Sequence, residues 1–576
     1  MNTAHDPITL EIVNTGLHSV IDEMTHTIFH TGYSTIIRET YDASCAVLTK
    51  DARLVGLSRT HGVHLSCFEP AVDAVLKEIG LSAMAEGDVY LTNHPYRGGS
   101  PHATDTMVVT PVFYGGEVVA FVANLAHKPD IGGLVPGTNS AAAKEIFHEG
   151  LMIPPVRLYA DYKPDANMFR VIEANSRTPE MTVGDLRGQV GTNFVGERGV
   201  KRLCSKYGAD TLLSSFEQVI TGLERQLRAE FAKWPDGTFE EYGYFDPDAT
   251  GHRVHVHVKV TKIGDGLHFD FTGCDDQGDG PLNMRPWTAQ AVSFYAALAL
   301  TRGNWVPNHG MNRAMTFTFR RGSVLDPVYP HAVNMYSVLC FILTDVLFRA
   351  LGQFIPHQAI ADSGGGLALV NIGGVEQKTG RAWLQYEMPG SAYGGCPYSD
   401  GESGISVHVS NVRITPVEIV ETEFPVRVLR TELIRDSGGA GKFRGGLGMV
   451  REEQLLGDAR FTLRTDKYQT APKGIFGGLD AAVGRCVINP GTEREESMPC
   501  RVHDYQLKPG DVWLLETPGG GGYGNPMERD AQAVLADLKN GFVSLSAAEK
   551  RYGVVIDPQR MEVDLAATSA ARSMPA

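Results

Sequence analysis

The sequence predicts an α+β protein of several domains, in which mixed and antiparallel sheets are flanked by helices. Three observations lead to this prediction. The 576 residues exceed the size of a single typical domain, and 43% of them are hydrophobic, which is enough for large cores. Strand patterns of period two stand beside isolated helix patterns, without the regular βαβ alternation of a parallel sheet. The 64 glycines and 31 prolines indicate many tight turns between short strands.

The first predicted element is a helix that starts at Asp6 and Pro7, a favourable pair for the N-cap and the first turn. Its apolar face comprises residues three or four apart: Leu10, Val13, Leu17, Val20, Met24 and Ile28. The other elements predicted in this part of the chain are strands over 44–48, 62–65 and 89–91 and helices over 69–79 and 209–232.

A β-hairpin is predicted over residues 106–113 and 117–124, because these two β-rich segments flank the turn residues Gly115 and Gly116. A two-residue turn places Tyr114 opposite Glu117. The pairs that then follow are Asp105 with Ala126, Thr104 with His127, and His102 with Pro129.

Beyond residue 235 the same mixture of elements continues. The predicted strands cover 253–260, 267–271, 315–319 and 407–414, followed by strand-like segments from 438 to 514, and the predicted helices cover 288–300, 338–352, 530–540 and 546–552. The domains predicted from this order are a metal-bearing N-terminal domain over 1–235, a central α+β domain over 236–430, and a β-rich C-terminal domain with a helical tail over 431–576.

Composition excludes several classes of protein. The formal net charge of −15, without a cluster of basic residues, argues against nucleic acid as a partner. No segment is apolar enough to span a bilayer, and no signal peptide precedes the first helix. We therefore expect a soluble, cytoplasmic protein without membrane contact. The eight cysteines are scattered and form no C-x-x-C pair, so neither a thiolate zinc site nor a disulfide framework is expected.

Two H-x-x-D motifs are the strongest chemical signal in the sequence: His102 with Asp105, and His127 with Asp130. The predicted hairpin brings both motifs to its open end. Imidazole and carboxylate ligands without thiolate favour Zn, Mn or Fe. The alternative is a structural network of His–Asp hydrogen bonds, in which each carboxylate orients an imidazole.

Other motifs are weaker. Residues 438–442 resemble part of a phosphate-binding loop, but Phe443 stands where a magnesium-binding hydroxyl is required, which argues against an ATP site. The glycines of 517–523 either let the backbone approach a ligand or form a flexible turn. His255 and His257 share one strand face, and a solvated face is the simpler interpretation.

Taken together, the motifs resemble the hydantoinase B/5-oxoprolinase family, which includes N-methylhydantoinase subunits and related subunits of acetone and acetophenone carboxylases. The resemblance runs through the whole chain and rests on the segments 6–10, 37–42, 63–65, 93–99, 102–105, 126–133, 149–155, 184–187, 442–446 and 519–524. This chain departs from the usual family pattern at His94, at Lys128 and at Tyr336 with Ser337.

The resemblance implies an ATP-dependent enzyme that opens a cyclic amide, such as a hydantoin, oxoproline or lactam, with its chemistry divided between two proteins of a hetero-oligomer. An A-type subunit binds ATP and phosphorylates the substrate, and this B-type subunit supplies a divalent-metal site. The implied metal ligands are Asp42, His102, Asp105 and His127. Asp130 becomes a hydrogen-bond partner of His127, and Asp130 or Glu149 is expected to accept a proton during catalysis.

Two other functions stay open. The chain is alternatively the metal-containing subunit of an ATP-dependent ketone carboxylase, although the acetone-type carboxylase subunits are longer. It is otherwise a non-catalytic scaffold that organises the A-type partner.

Overall fold

The helices and strands of the chain were located in a computed structural model, which describes residues 6–247, 251–301, 303–376 and 378–573. The helices are α1 Pro7–Thr31, α2 Thr35–Arg38, α3 Phe68–Ile79, α4 Ala166–Ala174, α5 Pro179–Tyr207, α6 Ala209–Phe231, α7 Pro286–Thr301, α8 Gly310–Ala314, α9 Tyr336–Gly352, α10 Val417–Glu423, α11 Ala531–Lys539, α12 Leu545–Tyr552 and α13 Leu565–Ser573.

The strands of the first half are β1 Ala43–Thr49, β2 Leu54–Leu57, β3 Val89–Thr92, β4 Asp105–Tyr114, β5 Glu117–His127, β6 Val156–Ala160, β7 Lys163–Pro164, β8 Gly237–Tyr244, β9 His255–Ile263, β10 Gly266–Asp270 and β11 Met315–Thr318. Those of the second half are β12 Leu369–Val375, β13 Ala382–Glu387, β14 Ser391–Ala392, β15 Ser403–Ile405, β16 Val426–Leu433, β17 Met449–Leu455, β18 Ala459–Arg464, β19 Arg485–Ile488, β20 Glu496–Met498, β21 Arg501–Leu507, β22 Val512–Glu516, β23 Ile556–Asp557 and β24 Glu562–Val563.

The sheets confirm the predicted α+β class with mixed and antiparallel pairing. The largest sheet has the order β2-β1-β5-β4-β3-β6-β7, and its pairs are antiparallel. A central sheet of order β11-β10-β9-β8 is mixed, because β10 and β11 run parallel. Two further sheets, β13-β12-β18-β21 and β16-β17-β22-β19-β20, pack around a shared apolar core in the C-terminal half.

The first helix forms as its periodicity predicts. Val13, Leu17, Val20, Met24 and Ile28 are all buried, and they pack against the large sheet and against α5 and α6. A second core joins β4 and β5 to α6, α7, α9 and the central sheet without a break near residue 235. The domain boundaries at 235 and 430 stay predictions.

The hairpin of β4 and β5 is confirmed, but its predicted register is wrong at the open end. Tyr114 lies opposite Glu117 as expected, and an irregularity between Val112 and Phe113 then shifts the pairing by one residue. A bulge of this kind inserts one extra residue in one strand. Asp105 therefore lies opposite His127, not opposite Ala126.

Two predicted strands are wrong. Residues 62–65 belong to the 3-10 turn Gly62–Ser66, and residues 407–414 have no regular secondary structure. In that second segment His408 has a φ of 57°, which an extended strand does not allow. The helices α2, α4, α5, α8, α10 and α13 were not predicted from the sequence.

The glycine-rich segments 438–446 and 519–524 pack against each other, backbone against backbone. The N–H of Gly439 donates to the carbonyl of Gly520, and the N–H of Gly520 donates to the carbonyl of Gly446. The glycines of 519–522 permit this internal contact because they have no side chains, so packing accounts for them without a flexible turn. Among the described helices, none combines the length and the apolar character needed to cross a membrane.

Candidate metal centre

Three buried residues at the open end of the hairpin form the centre of the candidate site. The possible ligand atoms of His102, Asp105 and His127 all lie within 4.8 Å of one another. Nδ1 of His127 lies 3.0 Å from Oδ1 of Asp105, and Nε2 of His102 lies 3.1 Å from Oδ2 of the same carboxylate. The carboxylate of Asp105 thus bridges the two imidazoles.

The shifted register explains why these residues meet. Asp105 is the first residue of β4 and His127 is the last residue of β5, so they face each other directly. His102 belongs to the turn that leads into β4, and its carbonyl accepts a hydrogen bond from the N–H of Asp105. The bulge therefore brings the two motifs closer together than the predicted register does.

Asp42 lies beside this cluster, as the resemblance implies. It precedes β1, which pairs with β5 so that Ala43 lies opposite Ala126. The N–H of His127 donates to the carbonyl of Asp42, and Oδ2 of Asp42 lies 4.0 Å from Nδ1 of His127. The predicted ligands Asp42, His102, Asp105 and His127 thus converge, and their role in metal binding stays a prediction.

Two further histidines, His61 and His64, line the same cavity, and the sequence analysis did not select them as ligands. Nε2 of His61 lies 3.6 Å from Oδ1 of Asp42, and Nδ1 of His64 lies 2.8 Å from Oγ of Ser44. Burial lowers the pKa of His64 to about 4, so this imidazole is neutral at pH 7. The signal was the H-x-x-H spacing, which a 3-10 turn places on one face and a strand does not.

Charges around Asp105 keep its carboxylate ionised. Burial alone would raise the pKa of Asp105, but the adjacent imidazoles of His102 and His127 hold it well below its usual value. The hydroxyl of Tyr336 donates to Oδ2 of Asp105 over 3.2 Å, and burial raises the pKa of this phenol. Tyr336 therefore stays protonated and fixes the orientation of the carboxylate.

The cavity beside the cluster has a volume of about 50 Å³. Its polar lining includes His102 and His127 of the cluster with Tyr336, Tyr386 and Arg464. An apolar wall is formed by Phe341, Leu367, Leu369, Met388, Val409 and Val412. The cavity therefore offers polar and apolar contacts to the same ligand.

The structure does not bring Asp130 to the cavity. Its carboxylate accepts hydrogen bonds from the N–H groups of Gly132, Gly137 and Arg177, and it forms an ion pair of 3.0 Å with the Arg177 guanidinium. No hydrogen bond joins Asp130 to His127 among the described residues. These contacts hold the 131–137 loop together, and the expected proton transfer by Asp130 stays a prediction.

Glu149 is also outside the cavity wall. Its Oε1 accepts hydrogen bonds from the N–H groups of Val333 and Asn334, and its buried Oε2 has no partner in the described part of the chain. Burial raises the pKa of Glu149 from 4.5 to about 8. At pH 7 the group is therefore mainly neutral and suited to donate a proton. The expected role as a proton acceptor stays a prediction.

The raised pKa of Glu149 predicts how stability depends on pH. Between about pH 4.5 and 8 the folded chain keeps a proton on Glu149 that the unfolded chain releases, so its contribution to stability falls as pH rises. Glu149→Gln should remove this dependence, which is at most about 1.4 kcal/mol per pH unit. Denaturant unfolding at pH 5.5 and pH 8 measures this dependence. We expect the free energy of unfolding of the variant, relative to that of the wild type, to be higher at pH 8 than at pH 5.5. Parallel pH profiles of the two proteins would contradict the prediction.

The residues present fit a divalent cation. Nε2 of His127 is buried and has no hydrogen-bond partner in the described residues, although a buried imidazole nitrogen normally has one. Imidazole nitrogens and carboxylate oxygens are ligands typical of Zn, Mn and Fe. The observed contacts also fit the alternative of a His–Asp network, but that network leaves this nitrogen unexplained.

A second acidic cluster, Asp246 with Asp466 and Cys500, does not fit a cation. The oxygens of Asp246 accept N–H groups from Tyr468, Gln469 and Thr470, and Asp466 forms an ion pair with Arg501. These contacts already satisfy both carboxylates, so the cluster is structural.

The fold and the site define a class: α+β proteins in which a hairpin end bears a histidine–carboxylate cluster beside a β-rich C-terminal half. Comparison with known proteins identifies the family. The hydantoinase B/oxoprolinase family model matches residues 6–526. The chain belongs to this family, which confirms the resemblance found in the sequence.

Two curated relatives and two solved structures are similar to this chain. The beta subunit of caprolactamase from Pseudomonas jessenii is 30% identical, and the alignment covers 100% of each chain. The crystal structure of the ATP-dependent caprolactamase from this species matches 99% of this chain and 100% of its own with a TM-score of 0.92 at 28% identity. The 5-oxoprolinase of Dictyostelium discoideum is 29% identical over 91% of this chain and 41% of the relative. A nucleotide-free acetone carboxylase shares the fold, with a TM-score of 0.91 at 19% identity over 99% of this chain and 83% of its own.

Proposed function

We propose that this chain is the metal-containing subunit of an ATP-dependent cyclic amide hydrolase, acting on a substrate that an A-type partner subunit phosphorylates. The observation that carries the proposal is the convergence of Asp42, His102 and His127 at one buried cavity, with Asp105 in contact with both imidazoles. The relatives support it, because caprolactamase is named as an ATP-dependent enzyme with a beta subunit similar to this chain.

The one candidate nucleotide loop within the described residues does not form, which supports a division of labour between two subunits. Residues 438–442, the one candidate from the sequence, pack against the glycines of 519–524 and not at the start of a helix. A phosphate-binding loop requires a strand before it and a helix after it. ATP is therefore used through the partner, which is the arrangement that the name of the caprolactamase beta subunit suggests.

Asp42, His102, Asp105 and His127 would hold the divalent ion, which we expect to be Zn, Mn or Fe. When bound, such an ion supplies Lewis acidity to the carbon–oxygen bond under attack. The residues of the chain prepare this site: Asp105 stays ionised between two imidazoles, Tyr336 holds one carboxylate oxygen, and Asp105 orients the ring of His127. His64, neutral at pH 7, adds no positive charge.

The apolar wall fits the hydrocarbon part of a small ring. Phe341, Leu369 and Met388 offer no charge to a substrate and present apolar surface to the cavity. An amide resists hydrolysis until its oxygen is activated, and exclusion of bulk water protects an activated ring from reaction before it is correctly placed.

The proposed function is tested with the complex of this chain and its A-type partner. Caprolactam, hydantoin and 5-oxoproline are supplied in turn with ATP, and the ring-opened product and ADP are measured with and without bicarbonate. We expect product and ADP to form together, independent of bicarbonate, with a metal-to-chain ratio near one by elemental analysis.

Each alternative gives a different result in this experiment. ATP turnover that requires bicarbonate would establish the ketone carboxylase, which the shared fold of acetone carboxylase makes the second candidate. A scaffold subunit would contain no metal, and the complex would keep its activity when His102 is replaced by alanine.

A further inference from the structure

Arg464 is a buried cation without a matching anion in the wall of the cavity. Its side chain lines the cavity and is 1% exposed. One terminal nitrogen donates to the carbonyl of Asn334 over 2.9 Å, and the other donates to the hydroxyl of Tyr386 over 3.2 Å. Nε is buried and has no partner among the described residues. A guanidinium is charged at any pH at which proteins fold, so this site holds a full positive charge.

Each of the other buried arginines of the described chain pairs with a carboxylate, and Arg464 does not. These are Arg444, which pairs with Asp537; Arg451, which pairs with Glu387 and Glu453; and Arg529, which pairs with Asp400 and Asp537. Arg464 forms no ion pair with any described residue. No carboxylate oxygen of these residues therefore lies within 4.0 Å of a guanidinium nitrogen of Arg464. A buried charge is costly unless it is paired, so the chain maintains an unfavourable arrangement at Arg464.

The nearest groups that could neutralise Arg464 are not charged. Glu149 shares Asn334 with it as a hydrogen-bond partner, but burial raises the pKa of this carboxyl to about 8. Burial also raises the pKa of Tyr386 to about 12, so this phenol remains neutral. The carboxyl groups of Asp42 and Asp105 are those proposed to hold the cation.

We propose that Arg464 is the oxyanion-binding residue of the cavity, and that the ligand held beside the His102–Asp105–His127 cluster carries a phosphoryl or a carboxylate group. The free Nε–H and the hydrogens left on the terminal nitrogens form the planar fork that binds two oxygens of such a group. Position supports this assignment: Arg464 ends β18 on the C-terminal sheet, opposite Leu369, which lines the apolar wall. A ring bound there has its anionic group at the arginine and its hydrocarbon part along that wall.

This inference deepens the proposed function and rests on it only for the choice between two sources of the anion. A phosphoryl group would come from activation of the amide by the partner subunit. A carboxylate would belong to the substrate itself, as in an oxoproline-type ring. Both present the same paired oxygens to the guanidinium.

The test measures binding of inorganic phosphate and of acetate to the full chain by calorimetry, after treatment with a chelator so that no metal holds the anion. We expect the wild type to bind one of them, and Arg464→Met to bind it at least tenfold more weakly. Arg464→Lys should lie between, because it keeps the charge and loses the fork. Arg460→Met, on the same strand but at an exposed ion pair with Asp504, is the matched control and should bind as the wild type does.

The two probes distinguish the sources. Preference for phosphate assigns the site to an activated intermediate, and preference for acetate assigns it to a carboxylate on the substrate. Binding of neither anion, or equal binding by Arg464→Met and the wild type, overturns the inference.

Thermal unfolding separates this role from a structural one. Arg451→Met removes the partner of two buried carboxylates and should lower the midpoint strongly. Arg464→Met removes an unpaired charge and should lower it less or raise it, and an equal loss in both variants would indicate that Arg464 is structural.

The inference and the proposed function can also fail separately. A complex that opens no cyclic amide while Arg464-dependent binding persists refutes the proposed function alone. Hydrolysis with an unchanged KM in Arg464→Met refutes the inference alone.

Discussion

Replacing His127 with alanine is expected to reduce the bound metal to near zero and to abolish amide hydrolysis by the complex. His127 is 3% exposed, its Nδ1 lies 3.0 Å from Asp105, and its Nε2 has no partner in the described residues. Loss of a group that only orients a ligand typically costs 10- to 100-fold in metal affinity or activity. Loss of a ligand itself should therefore cost at least about 100-fold.

Elemental analysis and product formation measure this effect in the same preparations. His357→Ala is the matched control, because His357 lies in the 3-10 turn Pro356–Gln358 and is not buried. Asp42→Ala should behave like His127→Ala, since Asp42 reaches the cluster from β1. A wild-type chain without metal, or a His127→Ala chain that keeps it, would contradict both the ligand set and the proposed function.

The meeting of His102 and Asp105 with His127 could be predicted because it depends on local signals, whereas Asp130 lies apart from them. Gly115 and Gly116 identify the turn, and the residues on either side show β-strand character. The register at the open end could not be predicted, because the irregularity at Val112 and Phe113 leaves no mark in the residue types. A shift of one residue gives every residue of the strand a different cross-strand partner. The hairpin was therefore predicted correctly, but the predicted partner of Asp105 was wrong.

Helix α5 was missed because a polar row of residues interrupts the apolar pattern of its buried surface. Asp185, Gln189, Asn193 and Glu197 are spaced four residues apart, and each is at most 2% exposed. Gln189 donates to the carbonyl of Thr106, and Asn193 donates to that of Val108, so this face binds the backbone of β4. Apolar periodicity identifies helices whose buried face is hydrophobic, and it does not identify one held by amide hydrogen bonds.

Lys128, one of the departures from the family pattern, belongs to the same polar contact. It is 1% exposed, and its Nζ donates to Oε1 of Gln189. The lysine is adjacent to His127 in sequence, but its side chain enters the contact between α5 and the hairpin. Lys128 thus changes the contact between α5 and the end of β5. A comparison of motifs alone does not reveal this contact.

The parts of the site that could not be predicted come from distant segments of the chain. Arg464 lies more than 300 residues from His127 and has no motif around it, and only the pairing of β18 with β12 places it at the cavity. His61 and His64 were missed for a different reason. Their segment was predicted as a strand, in which residues three apart point to opposite faces.

Replacing Gly445 with alanine is expected to destabilise the C-terminal half by at least about 3 kcal/mol, the largest effect that we predict for a single methyl group. A Cβ at this position would lie 1.7 Å from the carbonyl oxygen of Gly520 and 2.7 Å from that of Gly521. Both contacts are backbone atoms, which no side-chain rotation can relieve. The carbonyl of Gly520 also accepts a hydrogen bond from Gly439, so displacing it breaks a second contact.

Gly222→Ala is the matched control, since no atom lies within 4 Å of the Cβ that it would introduce into α6. In a helix this change should stabilise the chain by about 0.5–1 kcal/mol. Chemical unfolding followed by tryptophan fluorescence compares the two variants, because Trp513 is fully buried in the C-terminal core. If the glycines of 519–524 served a ligand instead, Gly445→Ala would unfold as the wild type does. Opposite signs for two identical substitutions are the result that assigns these glycines to internal packing.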